Sequence, residues 1–303
     1  MFHFDRRLLQ NFDWVMLMML IIVAGLSFIN LYSSSYIPGK GASPIFYKQI
    51  TFFISGLVIM SVILFYDYHK LIRLSYVLYA AILVLLLYTL LFEKPVAGVQ
   101  RWIDLGFFNV QPSEPAKLSL ILVLAACFTK TDAPGGYRLR HLIKPAILTL
   151  LPFVLILKQP DRSTAFICYI IFASMTLFVR MRWQTLHILV ITTISSVYVV
   201  FFKPLCNPFF NPEAHIMDNG YQVMQSKIAV GSGKIFGKGF LDGTLGHFQF
   251  LAEKHTDFAF AVWAEEWGFS GSVFLLGCYF FLLIWGLNVA MSAKDKLGSI
   301  LAF

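Results

Sequence analysis

Charge is what this sequence has least of. Its 24 Lys and Arg and 16 Asp and Glu make up 13% of 303 residues, about half the share typical of soluble domains. A soluble globular protein is therefore not expected. Disorder is excluded by the same scarcity, because disordered chains are rich in charge and poor in aromatics, and Phe alone numbers 31 here. Cysteine is also sparse: Cys127, Cys168 and Cys278 fall in apolar runs and only Cys206 in a polar segment. No pair is placed to close a disulfide across one loop, and the three are expected to pack as small hydrophobes. The histidines form no His-x-x-x-His, no Cys-x-x-Cys occurs, and no Gly-x-Ser-x-Gly elbow is found. Neither a zinc site nor a serine hydrolase is signalled.

What is present is apolar side chain, 58% of the residues with a mean hydropathy of +0.72. That is more than one soluble core can bury, so the solvent is lipid. The net charge of +8 fits the Lys/Arg bias of cytoplasmic loops, and no domain-sized basic stripe points to nucleic acid. Apolar runs fall at about 14–33, 50–66, 74–92, 115–129, 143–157, 164–179, 185–202 and 258–290. This pattern predicts an all-α, polytopic helix bundle of about eight transmembrane helices. Pro115, Pro145 and Pro152 fall within short runs and are expected to kink them. The first run, after Arg6 and Arg7, is about as long as a spanning helix requires and has no clear small-x-small cleavage site, so it reads as a retained helix.

Loop charges set the orientation. With the N-terminus cytoplasmic, the inner segments hold Arg6, Arg7, Lys70, Arg73, Lys130, Arg138, Arg140, Lys144, Arg180, Arg182, Lys294 and Lys296. The short outer loops hold only Lys40, Lys48, Lys94, Arg101, Lys158 and Arg162. The excess inside favours this orientation, with the long loop set aside. Three unusual segments then face outward: 93–114, the tight turn 158–163, and a large extracytoplasmic loop, 203–257, within what reads as a single domain over 1–303. Long loops among short connections are more often functional than accidental. In it, Tyr221, Met224 and Ile228 recur at helical spacing, which predicts a short helix on the membrane surface. Glycines follow at 231, 233, 237, 239, 243 and 246, with Lys234 and Lys238 among them. They permit close backbone approach or a bend, and lack the spacing of a P-loop.

Charged groups at membrane depth are functional hypotheses by default. Glu114 and Lys117 are three apart where the fourth span begins, close enough to pair on one helical face. Asp257, preceded by His255, stands where the long loop re-enters the membrane; helix capping and catalysis are both open there. Glu265 and Glu266 come two turns later and point away from Asp257 at 100° per residue; a structural role is expected, with at least one facing another helix. Arg101, Asp104, Lys158 and Asp161 complete the outer candidates. Together they describe an outward-opening cavity rimmed by acids and cations, suited to a substrate with hydroxyl and phosphate groups.

At these residues the sequence resembles the shape, elongation, division and sporulation family. The matching segments are Gln100-Arg101-Trp102-Ile103-Asp104-Leu105-Gly106, Gln111-Pro112-Ser113-Glu114 with Ala116-Lys117, and Lys158-Gln159-Pro160-Asp161. Gln225-Ser226-Lys227-Ile228-Ala229 running into Gly231-Ser232-Gly233, and His255-Thr256-Asp257-Phe258 running to Ala264-Glu265-Glu266, complete the set. Gly237-Lys238-Gly239-Phe240 and Phe12-Asp13-Trp14 resemble the elongation branch. The resemblance implies a ten-helix glycosyltransferase of the bacterial inner membrane, N-terminus cytoplasmic and active site outward, that polymerises lipid II. It implies a class B penicillin-binding protein and elongation-complex membrane proteins as partners. Asp257 matches the family's essential aspartate, with the proposed role of general base. Arg101, Glu114, Lys117, Lys158, Asp161, Lys227 and His255 become candidate substrate-binding residues. The leaving lipid diphosphate needs positive charge, from Arg101, Lys117 or a divalent cation such as Mg or Mn; no organic cofactor is implied.

The sequence departs from the family at Pro115, Arg162, Ser163 and Ala252, where local packing is expected to change. The family's last two helices are not among these 303 residues, so one side of the cavity is expected to open to lipid. Two other functions fit a chain of this kind: a lipid II transporter, and a non-catalytic scaffold for the penicillin-binding protein.

Overall fold

The structure, a computed structural model, describes residues 12–36, 41–92, 101–104, 109–131, 136–179, 182, 185–187, 190–192, 195, 219–243 and 258–303. Its elements are α1 (Trp14–Ser35), α2 (Pro44–Leu64), α3 (Tyr68–Phe92), β1 (Ile103–Asp104), β2 (Asn109–Val110), α4 (Ser113–Lys130), α5 (Leu139–Lys158), α6 (Arg162–Phe178), α7 (Asn219–Ser232), α8 (Ala259–Ser292) and α9 (Lys296–Ala302). The chain is an all-α membrane protein, and α1, α2, α3, α5 and α8 are long and apolar enough to cross a bilayer. The runs at 115–129 and 164–179 form α4 and α6, whereas in the run at 185–202 only residues 185–187, 190–192 and 195 are described. Helices α2 and α3 each start six residues before their apolar runs. Their first turns carry polar residues such as Lys48, His69 and Lys70 that hydropathy alone leaves out.

The chain forms two compact units, Met1–Val62 with Leu205–Asn288, and Ile63–Pro204 with Val289–Phe303. In the second, Leu86, Leu120, Val123, Leu124, Phe128, Ile156 and Cys168 are buried between α3, α4, α5 and α6. Cys127 and Cys168 are buried free thiols, as their apolar neighbours imply. Helix α5 is continuous across Pro145 and Pro152. A proline at 152 has no N–H for the carbonyl four residues earlier; the Tyr79 hydroxyl of α3 donates to that carbonyl, Leu148, at 2.5 Å. Helix packing thus repairs what the ring removes, as lipid requires. At the end of α4, the single Tyr137 hydroxyl proton is shared between Phe128 O and Thr131 O, both 2.8 Å from the hydroxyl oxygen.

Residues 300–302 belong to short α9, whose Leu297 and Ile300 are buried. Its N-cap is Asp295, which accepts from Gly298 N at 2.9 Å. The same carboxylate meets Tyr68 Oη at 3.0 Å and His69 Nε2 at 3.1 Å, while His69 Nδ1 lies 3.0 Å from Asp67. Hydrogen bonds from the His69 backbone and ring hold the Asp67 carboxyl below its ordinary value. At Asp295, desolvation pushes the carboxyl up but is outweighed by the Gly298 N–H, the Tyr68 hydroxyl and His69, and the net shift is downward. A carboxyl whose folded pKa is depressed stabilises fully above its unfolded value, here 3.8, and loses that contribution as pH falls through the folded one. Acidification below 3.8 is therefore expected to loosen α9 before the rest of the unit. Amide hydrogen exchange of residues 297–302 at pH 3 and pH 6 measures this, and equal protection at both would refute it.

In the first unit, Asp13 caps α1, accepting from Met16 N at 2.9 Å, and its other oxygen accepts from Trp285 Nε1 at 2.7 Å. The predicted helix in the long loop is present as α7. Its buried residue is Ala229, packed with Phe258, Ala261 and Val262, while Ile228 is exposed. The single span expected at 258–290 is interrupted: Gly268 has φ 66° and ψ −161°, which splits α8 into Ala259–Trp267 and Phe269–Ser292.

Candidate functional site

The outer-face candidates of the second unit gather where the short ladder β1–β2 leads into α4 and where α5 turns into α6. Strand pairing sets Ile103 opposite Val110 and Asp104 opposite Asn109. Arg101 Nε donates to Gln159 O at 3.3 Å and its Nη2 donates to Pro160 O, so one guanidinium spans the tight turn. Gln159 is itself buried, donating to Leu86 O at 2.9 Å and Thr89 Oγ1 at 2.8 Å. Asp161 caps α6, accepting from Thr164 N at 3.2 Å, and also accepts from Gln111 Nε2 at 3.1 Å. Only 5% exposed, it shapes the turn rather than presenting charge outward. Lys158 and Arg162 are exposed on either side.

Glu114 and Lys117 form the expected pair, at 2.9 Å, in the first turn of α4. The lysine is the more enclosed partner, its side chain 22% exposed against 58% for the glutamate. The carboxylate at a helix N-terminus is also favoured by the helix dipole. Replacing Asp161 by Ala is expected to cost about 1 kcal/mol of stability, the usual loss for a missing N-cap, whereas Asn retains most of it. Thermal unfolding of the two variants in detergent distinguishes them; an Ala variant melting with the parent would refute the capping role.

In the first unit, the glycine-rich stretch 233–239 is laid across the break in α8. Lys238 N donates to Glu265 O and Gly239 N to Glu266 O, both at 3.0 Å. Phe269 N donates to Lys234 O at 2.9 Å and Ser270 N to Ile235 O at 3.0 Å. The backbone groups freed at Gly268 thus find partners in the strap, which is how an interrupted helix survives at membrane depth. Glycine is required for the approach. A Cβ at Gly233 would stand 2.1 Å from Ala264 O, and one at Gly237 2.0 Å from Glu266 O.

Glu265 and Glu266, expected to be structural with one facing another helix, are both buried. Lys238 Nζ meets Glu265 Oε1 at 2.5 Å, and the Ser33 hydroxyl of α1 donates to Glu266 Oε1. Asn30 Nδ2 donates to Ala259 O at 2.9 Å. Beside these contacts lies a cavity of about 530 Å³ lined by Ser27, Phe28, Asn30, Ser34, Gln49, Phe53 and Ala259 among others. Sequence reasoning missed Ser33, Gln111, Gln159 and the partnering of Lys238 with Glu265. No local signal in the sequence joined Lys238 to Glu265, 27 residues away. Lys227 is exposed on α7. His255 and Asp257 lie outside the described residues.

A polytopic helical membrane protein, with an interrupted helix strapped by a glycine-rich loop and a charged cluster at a helix-to-helix turn, is the class that fold and site define. Within it, the family model FTSW_RODA_SPOVE, described as "Cell cycle protein", matches residues 13–303, and the chain belongs to that family. The peptidoglycan glycosyltransferase RodA of Treponema pallidum is 28% identical over 97% of this chain and 86% of its own length. The peptidoglycan glycosyltransferase MrdB of Escherichia coli is 32% identical over 74% of this chain and 62% of its own length. The crystal structure of the Thermus thermophilus rod shape determining protein RodA superposes with a TM-score of 0.70 at 26% identity, over 96% of this chain and 79% of that one. A second solved chain, described under structural coordination of polymerization and crosslinking by a peptidoglycan synthase complex, has a TM-score of 0.74 at 28% identity, over 96% and 82%.

Proposed function

We propose that this chain is a peptidoglycan glycosyltransferase that polymerises lipid II into glycan strands during cell elongation, at the outer face of the bacterial inner membrane. The observation that carries the reading is the family match over residues 13–303, with relatives named as peptidoglycan glycosyltransferases. Asp257 acts as general base. Its carboxylate takes the proton from the acceptor sugar hydroxyl as that oxygen bonds to the donor's anomeric carbon, and the bond to the lipid diphosphate breaks with its electron pair leaving on the diphosphate. Cationic groups serve best where that negative charge develops. Lys117, held by Glu114, and the exposed Lys158 are suited to this. Arg101 has two of its five N–H donors committed to the 159–160 carbonyls and three left for phosphate oxygens. Lys227 and His255 are further candidates for holding substrate.

Among the described residues, no group of three His, Cys, Asp or Glu side chains is arranged to hold a metal ion. A class B penicillin-binding protein is the expected partner, supported by the likeness to a chain of a peptidoglycan synthase complex. The break in α8 lends lipid II transport one observation, since discontinuous helices build sites in transporters. Here the freed backbone groups are taken by the strap rather than left to a substrate.

The test is glycan polymerisation from labelled lipid II by the purified chain, with and without the class B partner and divalent cation. Muramidase-sensitive polymer is expected; none under any condition would overturn the reading for these 303 residues.

A further inference from the structure

Two carboxylates and one ammonium are buried or half-buried at the break in α8 with no role in the chemistry above. The Lys238–Glu265 pair joins a 30% exposed lysine side chain to a glutamate of 0% exposure. Such a pair is a poor stability device, because desolvation costs several kcal/mol per ion and apolar side chains of the same volume often serve as well or better. What an ion pair supplies that Met and Leu do not is a single geometry. Lys238 grips the same residue twice, by its side chain at 2.5 Å and by its backbone N–H on Glu265 O at 3.0 Å. Helix α1 holds the half-helix Ala259–Trp267 at two further points, through Ser33 on Glu266 and Asn30 on Ala259 O. The half-helix is thus held at both ends, and Asp257 stands two residues before its first member in the sequence.

We propose that Lys238, Glu265, Ser33 and Glu266 are positioning residues: they lock the half-helix Ala259–Trp267, and through it set the segment carrying Asp257 for glycosyl transfer. The inference rests on the reading of Asp257 as the general base. Its consequence is that activity and stability separate at this site. In a merely structural ion pair, exchange for apolar volume leaves both near the parent's.

The double variant Lys238→Met with Glu265→Leu exchanges the pair for apolar volume. Its melting temperature in detergent is expected to equal or exceed the parent's. Its kcat for polymerisation from lipid II is expected to fall at least about ten-fold with KM little changed, the signature of a lost transition-state geometry. Lys238→Arg, which keeps charge and reach, should restore kcat to within a few-fold of the parent. A double variant that both melts and polymerises like the parent overturns the proposal, as does a kcat loss that only tracks a loss of folded protein. Ser33→Ala provides a reading independent of activity. Amide exchange in residues 261–267 should quicken about ten-fold while α4 stays unchanged, and unchanged exchange overturns the proposal. Should the parent itself make no polymer, the functional reading fails, and the exchange measurement still decides whether these residues lock the half-helix.

Discussion

Replacing Asp257 by Ala is expected to lower glycan polymerisation by about 10²- to 10⁴-fold, the usual contribution of a well-placed general base. The loss should appear in kcat, because the carboxylate acts on a proton that moves only as the glycosidic bond forms. Asp257→Asn should be nearly as inactive, since the amide keeps the size and loses the basic oxygen. Folded yield and melting temperature should stay close to the parent's for both. These outcomes separate the three functions the sequence allows. A polymerase loses polymer with Asp257→Ala. A scaffold supports normal cell elongation with the same substitution. A transporter loses movement of lipid II across vesicles while the parent makes no polymer. Polymer at the parent's rate from the Ala variant would remove Asp257 from the chemistry.

The second large effect is expected at Gly237. Its φ of +83° lies where an L side chain is strained, and a Cβ there meets Glu266 O at 2.0 Å, Glu266 C at 2.4 Å and Trp267 C at 2.7 Å. All three are backbone atoms, so no side chain can swing aside. A left-handed backbone costs roughly 1–2 kcal/mol for a non-glycine residue, and overpacking a close-packed contact typically adds about 1–3 kcal/mol. Gly237→Ala should therefore lose about 2–5 kcal/mol and most of the folded protein, because the strap cannot close on the break in α8. Gly231→Ala is the contrast. Nothing lies within 4 Å of its Cβ position, it sits within α7, and Ala favours a helix over Gly by about 1 kcal/mol. Melting curves of the two variants decide the matter; a Gly237→Ala protein as stable as Gly231→Ala would mean that the strap is dispensable.

Some of the site was legible in the residues themselves. Glu114 and Lys117 are three apart at a helix start, and a spacing of three on one helix fixes their proximity without help from any other element. The glycines at 231, 233, 237, 239, 243 and 246 left close backbone approach or a bend open, because glycine lacks a Cβ and tolerates positive φ. What they approach was not legible. Nothing local to Lys238 specifies a partner 27 residues later, and Ser33 lies 233 residues from Glu266. The turn 158–163 shows the same division. Asp161 stands out there as an outer-face candidate, but neither its capping of α6 nor the hydrogen bonds from Arg101 to Gln159 and Pro160, 58 and 59 residues away, is read from the sequence.

By itself, the sequence determined the solvent, the class of element and the family, since hydropathy, charge scarcity and short motifs are properties of contiguous residues. It placed the helices to within about six residues, erring where polar first turns extend beyond the hydrocarbon. Tertiary structure alone decided that α8 is two half-helices: a single glycine inside a helical run is tolerated as readily as it breaks the helix, so Gly268 does not by itself mark a break. Gly268 can leave the helix there because the strap from 233 to 239 supplies the lost hydrogen bonds, and that supply depends on distance in space rather than along the chain.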